Sequence, residues 1–321
     1  MRISVFIFFL ITIITEVAAH PAIGIVSDSR GNIYYSDLKN IIKLDLSGHK
    51  TIVVANVHSH ELYMDDHDNL YGSHLWYSGE ATNKWYYYVW KLSPDHKLDT
   101  IIRAREGFDH NHDYSFVRDS LGYSYFMTET GDSTIFERTD LSGNKTLFAK
   151  INLKNIIWFT VNTSGKVFFE FNTSVYEIKS DGTFLKTGNN LSNRKMPNIF
   201  INDAHALMGL WFDLDDNLYV ADYRMGKVRR RSGDSWHTMY TSTYGCSPVS
   251  GTCTRDGEIW ILEWGWFDTV KAKKIKINVE DPINWANIFL LGLATSIMLS
   301  LALKLLKWLK LKLQPGEAPS K

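Results

Sequence analysis

The sequence is poor in residues that break or staple a chain: only 7 prolines and 2 cysteines stand among 321 residues. So few prolines exclude a proline-rich linker or low-complexity tail. Two cysteines cannot build a disulfide-dense scaffold or a four-cysteine zinc module. Net charge is lacking too, with 35 Lys and Arg against 35 Asp and Glu. Without a basic excess there is no electrostatic footprint for nucleic acid, which is not expected as a partner. No nucleophile elbow, phosphate loop or zinc-protease helix motif occurs, which removes the commoner enzyme classes. What is present is 45% hydrophobic and 14% aromatic residues, enough for a substantial core.

The two ends differ from the middle. Arg2, an apolar run from Val5 to Ile14, and Val17 and Ala19 predict a signal peptide over 1–19, cleaved after Ala19. Near the other end, Trp285 to Leu303 is free of charge, long enough to cross the bilayer as a helix. Lys304, Lys307, Lys310 and Lys312 follow it. Lysines beside a span mark its cytoplasmic side, so 304–321 is expected inside and 20–278 outside the cell membrane, in a single-pass arrangement. In that oxidising compartment Cys246 and Cys253 could pair as a local disulfide. Asn144, Asn162, Asn172 and Asn190 head glycosylation sequons that matter only in a eukaryotic source.

The middle repeats itself. DSRGNIYYSD (28–37), DDHDNLYGSH (65–74), DSLGYSYFMT (119–128), NTSGKVFFEF (162–171), DLDDNLYVAD (213–222) and CTRDGEIWIL (253–262) share a polar turn followed by an alternating apolar strand. Equivalent turn positions (Gly31, Asp68, Gly122, Gly165, Asp216, Gly257) recur at 37 to 54 residues. A second turn follows in DLSGHKT, SPDHKLDT, DLSGNKT, KSDGTFL and RSGDSWH. Four strands per unit and six units predict an all-β, six-bladed β-propeller over 20–278. The last unit is short of strands, so three are expected there.

Through phrases such as Leu210-Trp-Phe-Asp-Leu-Asp-Asp-Asn-Leu-Tyr-Val-Ala-Asp222 the chain resembles the NHL-repeat and gluconolactonase-like propellers. That resemblance implies a channel with two rims. One is formed by the loops entering the innermost strands and the loops between second and third strands, the other by tight turns. On this map His20, His58, His60, His74, His110, His112 and His205 share the first rim. His49, His67 and His96 fall on the tight-turn rim.

Equating Asp28, Asp65, Asp119, Asn162, Asp213 and Cys253 aligns His58 with His112, and His60 with Ile23, Tyr114, Ile157, Met208 and Pro248. Residues two apart on a strand face alike. His58, His60 and His112 are therefore candidate ligands of a divalent metal, zinc or calcium, with Glu61 or Tyr114 as base or acid. His60-Glu-Leu-Tyr-Met-Asp65 is similar to the inner-strand phrase of the peptidylglycine amidating lyase propellers, whose zinc triad is matched at His60 alone. The gluconolactonase-like resemblance implies instead a cation held by acids and amides, with Glu61, Asn111, Asp113, Asn155 and Asp203 near suitable positions.

The same rim is rich in aromatics. Trp76, Tyr77 and Trp85, with His74, Trp158 and His205, are candidate ligand-binding residues for a small molecule, a glycan or a protein. Asp37, Asp222 and Glu263 at the His74 position suggest a structural polar cap. The run Arg224, Lys227, Arg229, Arg230 and Arg231 reads as a solvated outer face. The leading expectation is an exported, membrane-anchored binding propeller. The rival is a metal-dependent hydrolase or lyase.

Overall fold

The computed structural model describes residues 22–107, 113–179, 181–192, 205–265 and 269–276. The signal segment, the apolar stretch Trp285 to Leu303 and the lysine-rich end lie outside them. No helix among the described residues is long and apolar enough to cross a membrane.

Six antiparallel sheets follow one another along the chain. Blade one is β1 (Ile25–Ser27), β2 (Ile33–Ser36), β3 (Asn40–Leu44) and β4 (Lys50–Ala55). Blade two is β5 (Leu62–Met64), β6 (Leu70–Tyr77), β7 (Trp85–Leu92) and β8 (Leu98–Glu106). Blade three is β9 (Ser124–Thr130), β10 (Ser133–Thr139) and β11 (Lys145–Ile151). Its innermost element is reduced to a bridge between Arg118 and Ser124 and a bond from Tyr125 N to Val117 O. Blade four is β12 (Phe159–Val161), β13 (Val167–Phe171), β14 (Ser174–Ile178) and β15 (Phe184–Gly188). Blade five is β16 (Leu207–Phe212), β17 (Leu218–Asp222), β18 (Lys227–Ser232) and β19 (Ser235–Thr241). Blade six is β20 (Cys246–Cys253), β21 (Ile259–Gly265) and β22 (Thr269–Ile275), three strands among the described residues.

One side chain sets the start of most blades. The Asp28 carboxylate accepts from the N–H of Arg30 and Asn32, the Asn32 amide and the Tyr34 hydroxyl. Asp65 does the same with His67, Asn69 and Tyr71, and Asp213 with Asp215, Asn217 and Tyr219. Asp119 binds the Leu121 and Tyr123 N–H and the Tyr125 hydroxyl. The recurring aromatic of the repeat is thus a hydroxyl donor to the turn acid. Where the acid is replaced by Asn162 or Thr254, the tyrosine is replaced by Phe168 or Trp260. Burial and the neighbouring acid push the Tyr34, Tyr71 and Tyr219 phenols up, and Tyr125 to about 12, so each stays a donor at neutral pH.

The fourth turn residue is left-handed in all six blades, with φ between 58 and 84°. Glycine is the default there, yet Asp68 and Asp216 occupy it in blades two and five. Their carboxylates reach the preceding blade. Asp68 accepts from Ser29 N at 2.7 Å and Oγ at 2.5 Å. Asp216 accepts from Thr163 N at 3.2 Å and Oγ1 at 2.6 Å. The ring closes where Ser27 Oγ donates to Cys253 O at 3.3 Å.

Among the described residues, apolar clusters fill five of the six seams between blades. Ile41, Val54, Leu70 and Trp90 join blades one and two, and Tyr125, Phe136, Val167 and Phe169 join three and four. Phe168, Val175, Leu207 and Val220 join four and five. Met208, Trp211, Ile259 and Ile261 join five and six, and Ile33, Tyr35, Val249 and Leu262 join six and one. The seam between blades two and three is different. There the Arg118 guanidinium lies over Tyr63 at 4.9 Å and Tyr114 at 5.1 Å, and Tyr71 stacks on Tyr114.

Several sequence expectations are corrected. Cys246 and Cys253 are free and stand at opposite ends of the single strand β20, about 23 Å apart at the usual rise per residue, so they cannot bridge each other. The sixth turn begins at Thr254, whose N bonds Glu258 O as Asp28 N bonds Asn32 O, not at Cys253. Blade six therefore aligns Val249 rather than Pro248 with His60. The basic run is not all solvated: Arg229 Nε and Nη2 both reach Oδ2 of the fully buried Asp222 at 3.0 Å. Asn162 is buried and bonded into its turn, so its sequon is closed to a glycan, while Asn144, Asn172 and Asn190 are exposed.

Two predictions follow from these contacts. Asp216→Gly keeps the left-handed turn and loses the bonds to blade four, so urea unfolding should show a loss of about 1–2 kcal/mol with the circular dichroism spectrum unchanged. Glu170 on β13 is 1% exposed and burial holds its carboxyl well above the usual range. A raised native pKa stabilises the fold below the unfolded value, and that stability drains away as pH rises through the native one. Glu170→Gln should remove this decline, read as a flatter unfolding midpoint against rising pH.

Candidate functional site

Blade two enters its inner strand through residues 56–61, and Ser59 holds this segment in place. Ser36 Oγ of blade one donates to Ser59 O at 2.6 Å, and Ser59 Oγ donates to Ser73 O of β6. Ser59 is fully buried, and the flanking half-buried His58 and His60 turn their rings to one another. Their centroids are 4.7 Å apart, edge to face, and their Nε2 atoms are 2.9 Å apart.

His74, on the second strand, completes this group differently. Its Nδ1 accepts the His58 backbone N–H at 2.8 Å. A backbone amide can only donate, so neutral His74 carries its proton on Nε2. Burial and the neighbouring His58 lower the His74 pKa, in keeping with that acceptor role. Burial likewise lowers His58, opposed by a hydrogen bond to the Leu38 backbone. One Nε2 of the pair donates to the other, and the tautomers set which.

This pair can be tested against a metal. Zinc ligands at 2.0–2.1 Å in a tetrahedron lie about 3.3 Å from each other. The imidazoles sit at hydrogen-bonding separation, and a metal would replace the shared proton while parting the rings by about 0.4 Å. Two neutral imidazole nitrogens suit a divalent ion, and a third donor would have to join them. His112 is outside the described residues, as are Asn111, Asp203, His20 and His110. Among the described residues no three His, Cys, Asp or Glu side chains form a metal cluster.

The other expected residues fall in several places. Glu61 sits between His60 and β5, half-buried. Tyr114 stacks with Tyr71 and meets Phe116 edge on, and burial raises its pKa, so it is a proton donor rather than a base at neutral pH. Asp113 is engaged by Arg105 Nη1 at 2.7 Å and by the Tyr87 hydroxyl. Trp158 packs against the apolar cluster of blades five and six, away from the blade-two aromatics. His205 stands half-buried just before β16. Trp211 is core: it stacks on Tyr219 and lies so close over Gly251 that a Cβ there would sit 2.5 Å from its ring.

Blade two also carries the aromatic surface. β6 and β7 are eight residues each and β5 only three, so their hairpin projects past the inner strand at this rim, with β8 alongside β7 as far as Glu106 opposite Tyr86. Register places His74 opposite Tyr88, Trp76 opposite Tyr86 and Tyr77 opposite Trp85. On one face His74 stacks on Trp76 at 5.3 Å and Trp76 on Tyr86 at 5.5 Å. On the other, Tyr77 and Trp85 meet at 5.2 Å, each 39% exposed. Tyr86 and Tyr88 are rungs that a candidate list taken residue by residue misses, though alternation along β7 and pairing with β6 would indicate them.

The polar cap expected at the His74 position is present. Asp37 Oδ1 accepts from Lys39 N and Asn40 N, and Glu263 Oε1 accepts from the Tyr240 and Ser242 hydroxyls. His74→Ala orphans the buried His58 N–H and should cost about 1–3 kcal/mol in urea unfolding, whereas His74→Asn, whose Oδ1 can replace Nδ1, should retain most of that stability.

No protein-family model matches the chain, and no curated protein matches it in sequence. Solved structures do match it in shape. A putative gluconolactonase is 10% identical, covering 81% of this chain and 90% of its own, with a TM-score of 0.53. A glucose dehydrogenase is 13% identical over 79% of this chain and 95% of its own, with a TM-score of 0.52. A virginiamycin B lyase from Staphylococcus aureus is 14% identical over 81% and 86%, with a TM-score of 0.43. Identities this low speak for architecture and not for activity. The chain is a six-bladed β-propeller whose fold resembles those of the putative gluconolactonase and the glucose dehydrogenase.

Proposed function

We propose that the protein is an exported, membrane-anchored propeller that binds a ligand with flat apolar faces, a glycan or an aromatic small molecule, at the blade-two rim. The observation that carries this reading is the projecting β6–β7 hairpin. Its cross-strand aromatics expose ring faces beside polar imidazoles instead of burying them in a seam. Aromatic rungs of this kind offer flat apolar area, and the histidines at their base supply directional hydrogen bonds. Export and anchoring rest on the terminal segments of the sequence.

A second reading, a metal-dependent hydrolase or lyase, is favoured by the His58–His60 pair. Two imidazoles converging on one point, with burial lowering the pKa of His58, are prepared for a cation, and Glu61 or Tyr114 would then act on a proton nearby. Such an ion would lower the pKa of a bound water.

Titration of the full chain against a panel of glycans and aromatic small molecules, read by tryptophan fluorescence, tests the first reading. Trp76→Ala or Trp85→Ala should weaken any detected binding by about tenfold while leaving the unfolding midpoint near that of the natural chain. A binder whose affinity is unmoved by both changes would place the site elsewhere. Elemental analysis separates the second reading: stoichiometric metal, lost in His58→Ala, supports it, and metal-free folded protein removes it.

A further inference from the structure

The rim opposite the histidines is built from the tight turns, and its chemistry is unusual for solvated turns. Leu46, Leu121, Leu141 and Leu214 stand there at 75, 66, 83 and 61% exposure. Leu46 and Leu141 occupy the outer turns of blades one and three, Leu121 and Leu214 the inner turns of blades three and five. Leu46 leans over Gly31 and Leu141 over Gly122, yet both remain mostly uncovered. Blades one, three and five alternate around the ring, so the leucines form three separated apolar tips on one rim. None of these turns needs a leucine for its geometry. The hydrogen bonds that shape them come from Asp45, Asp119, Asp140 and Asp213.

The path of the chain gives this rim a direction. Ile275, the last residue of β22, pairs with Ile259 at the start of β21, just after the turn at Thr254 to Glu258. The main chain therefore leaves the propeller at the tight-turn rim. Trp285, where the apolar stretch begins, is ten residues beyond Ile275, a reach of at most about 35 Å.

Charge on this rim is mixed. Between blades one and two a cleft is lined by Arg30, Lys43 and His96, and among the described residues no carboxylate is bonded to any of these side chains. The Asp28 carboxylate beside them is occupied by its own turn, and that of Asp68 by Ser29 of blade one. Asp66, Asp215 and Asp256 are exposed at the inner turns, as is Arg255. Cations for phosphate and acids for choline or ethanolamine suit zwitterionic headgroups, whereas a uniformly anionic surface would be repelled by the acids.

We propose that the tight-turn rim rests on a zwitterionic phospholipid surface, with Leu46, Leu121, Leu141 and Leu214 seated among the headgroups and the histidine- and aromatic-rich rim turned away from the membrane. This rests on the reading of Trp285 to Leu303 as a span. It orients the candidate binding site toward the space beyond the cell, where a soluble or partner-borne ligand can enter without crossing the headgroups.

The test uses the full chain in phosphatidylcholine vesicles, with Cys246 and Cys253 changed to Ser and one cysteine introduced as Leu141→Cys, Leu214→Cys or Tyr77→Cys. Each carries an environment-sensitive fluorophore, and nitroxide-labelled lipid is the quencher. The expected result is a blue-shifted emission and at least twofold stronger quenching at positions 141 and 214 than at 77. Equal quenching at all three positions, or stronger quenching at 77, overturns the proposal. Alkaline carbonate washing of the same vesicles tests the span separately: extracted protein sinks the anchor. In that case the rim proposal is upheld only by selective quenching at 141 and 214 before the wash, and its absence overturns that proposal as well. If removal of the natural cysteines impairs folding, the introduced cysteines are read in the natural background, with labelling of the unmutated chain subtracted.

Discussion

A turn carboxylate that accepts backbone, amide and phenol hydrogen bonds at once is the interaction on which the propeller depends. In blades one, two, three and five it ties the beginning of the second strand to the end of the first, and the tyrosine six residues on locks the pair. Hydrogen bonds to a charged group are worth about 1.5–3 kcal/mol each, so this small assembly sets register before any seam is packed. Register then decides which side chains face the channel and which face a neighbouring blade, because a slip of one residue reverses every facing. The replacement of acid and phenol together in blades four and six shows the two working as a unit inside a single chain.

Once the blades have their register, the seams between them make the ring. Five are apolar, and the sixth, between blades two and three, relies on Arg118 lying over Tyr63 and Tyr114. Blade three is weakest at that seam, where its inner strand shrinks to a single bridge. The histidine pair and the projecting hairpin belong to blade two, on the near side of the same seam. Local stability is lowest where few apolar contacts are buried, and binding elements are drawn from such regions.

The rim chemistry has a common physical origin. Ser59 is pinned by two neighbours, and this forces His58 and His60 together. Burial keeps His58 and His74 neutral, so their lone pairs are available as acceptors. His74 spends its lone pair on a backbone amide and is structural; His58 and His60 share one proton between their Nε2 atoms. The remaining capacity lies in the shared proton of the pair and in the ring faces of the hairpin, which suit a cation and a flat ligand respectively.

Much of this was legible in the sequence because it is periodic. The six turn phrases, the alternating strands and the free spacing of His58 and His60 specify blade number, strand facing and the meeting of those two rings. The apolar alternation of β6 and β7 likewise exposes an aromatic stripe. What local pattern does not carry is the identity of the neighbour. Trp158 reads as a ligand-binding residue of the rim until it is seen packed on the cluster of blades five and six, and Arg229 reads as solvated until Asp222 is seen beneath it. Cys246 and Cys253 look close in number, and only a bulged strand running from one to the other separates them. The sequence by itself determined the repeat and, in every blade but the sixth, its register and the sign of each facing, since these follow from bonds made within a few residues. Tertiary structure decided which facings are buried, paired or open, because that depends on side chains brought from the next blade.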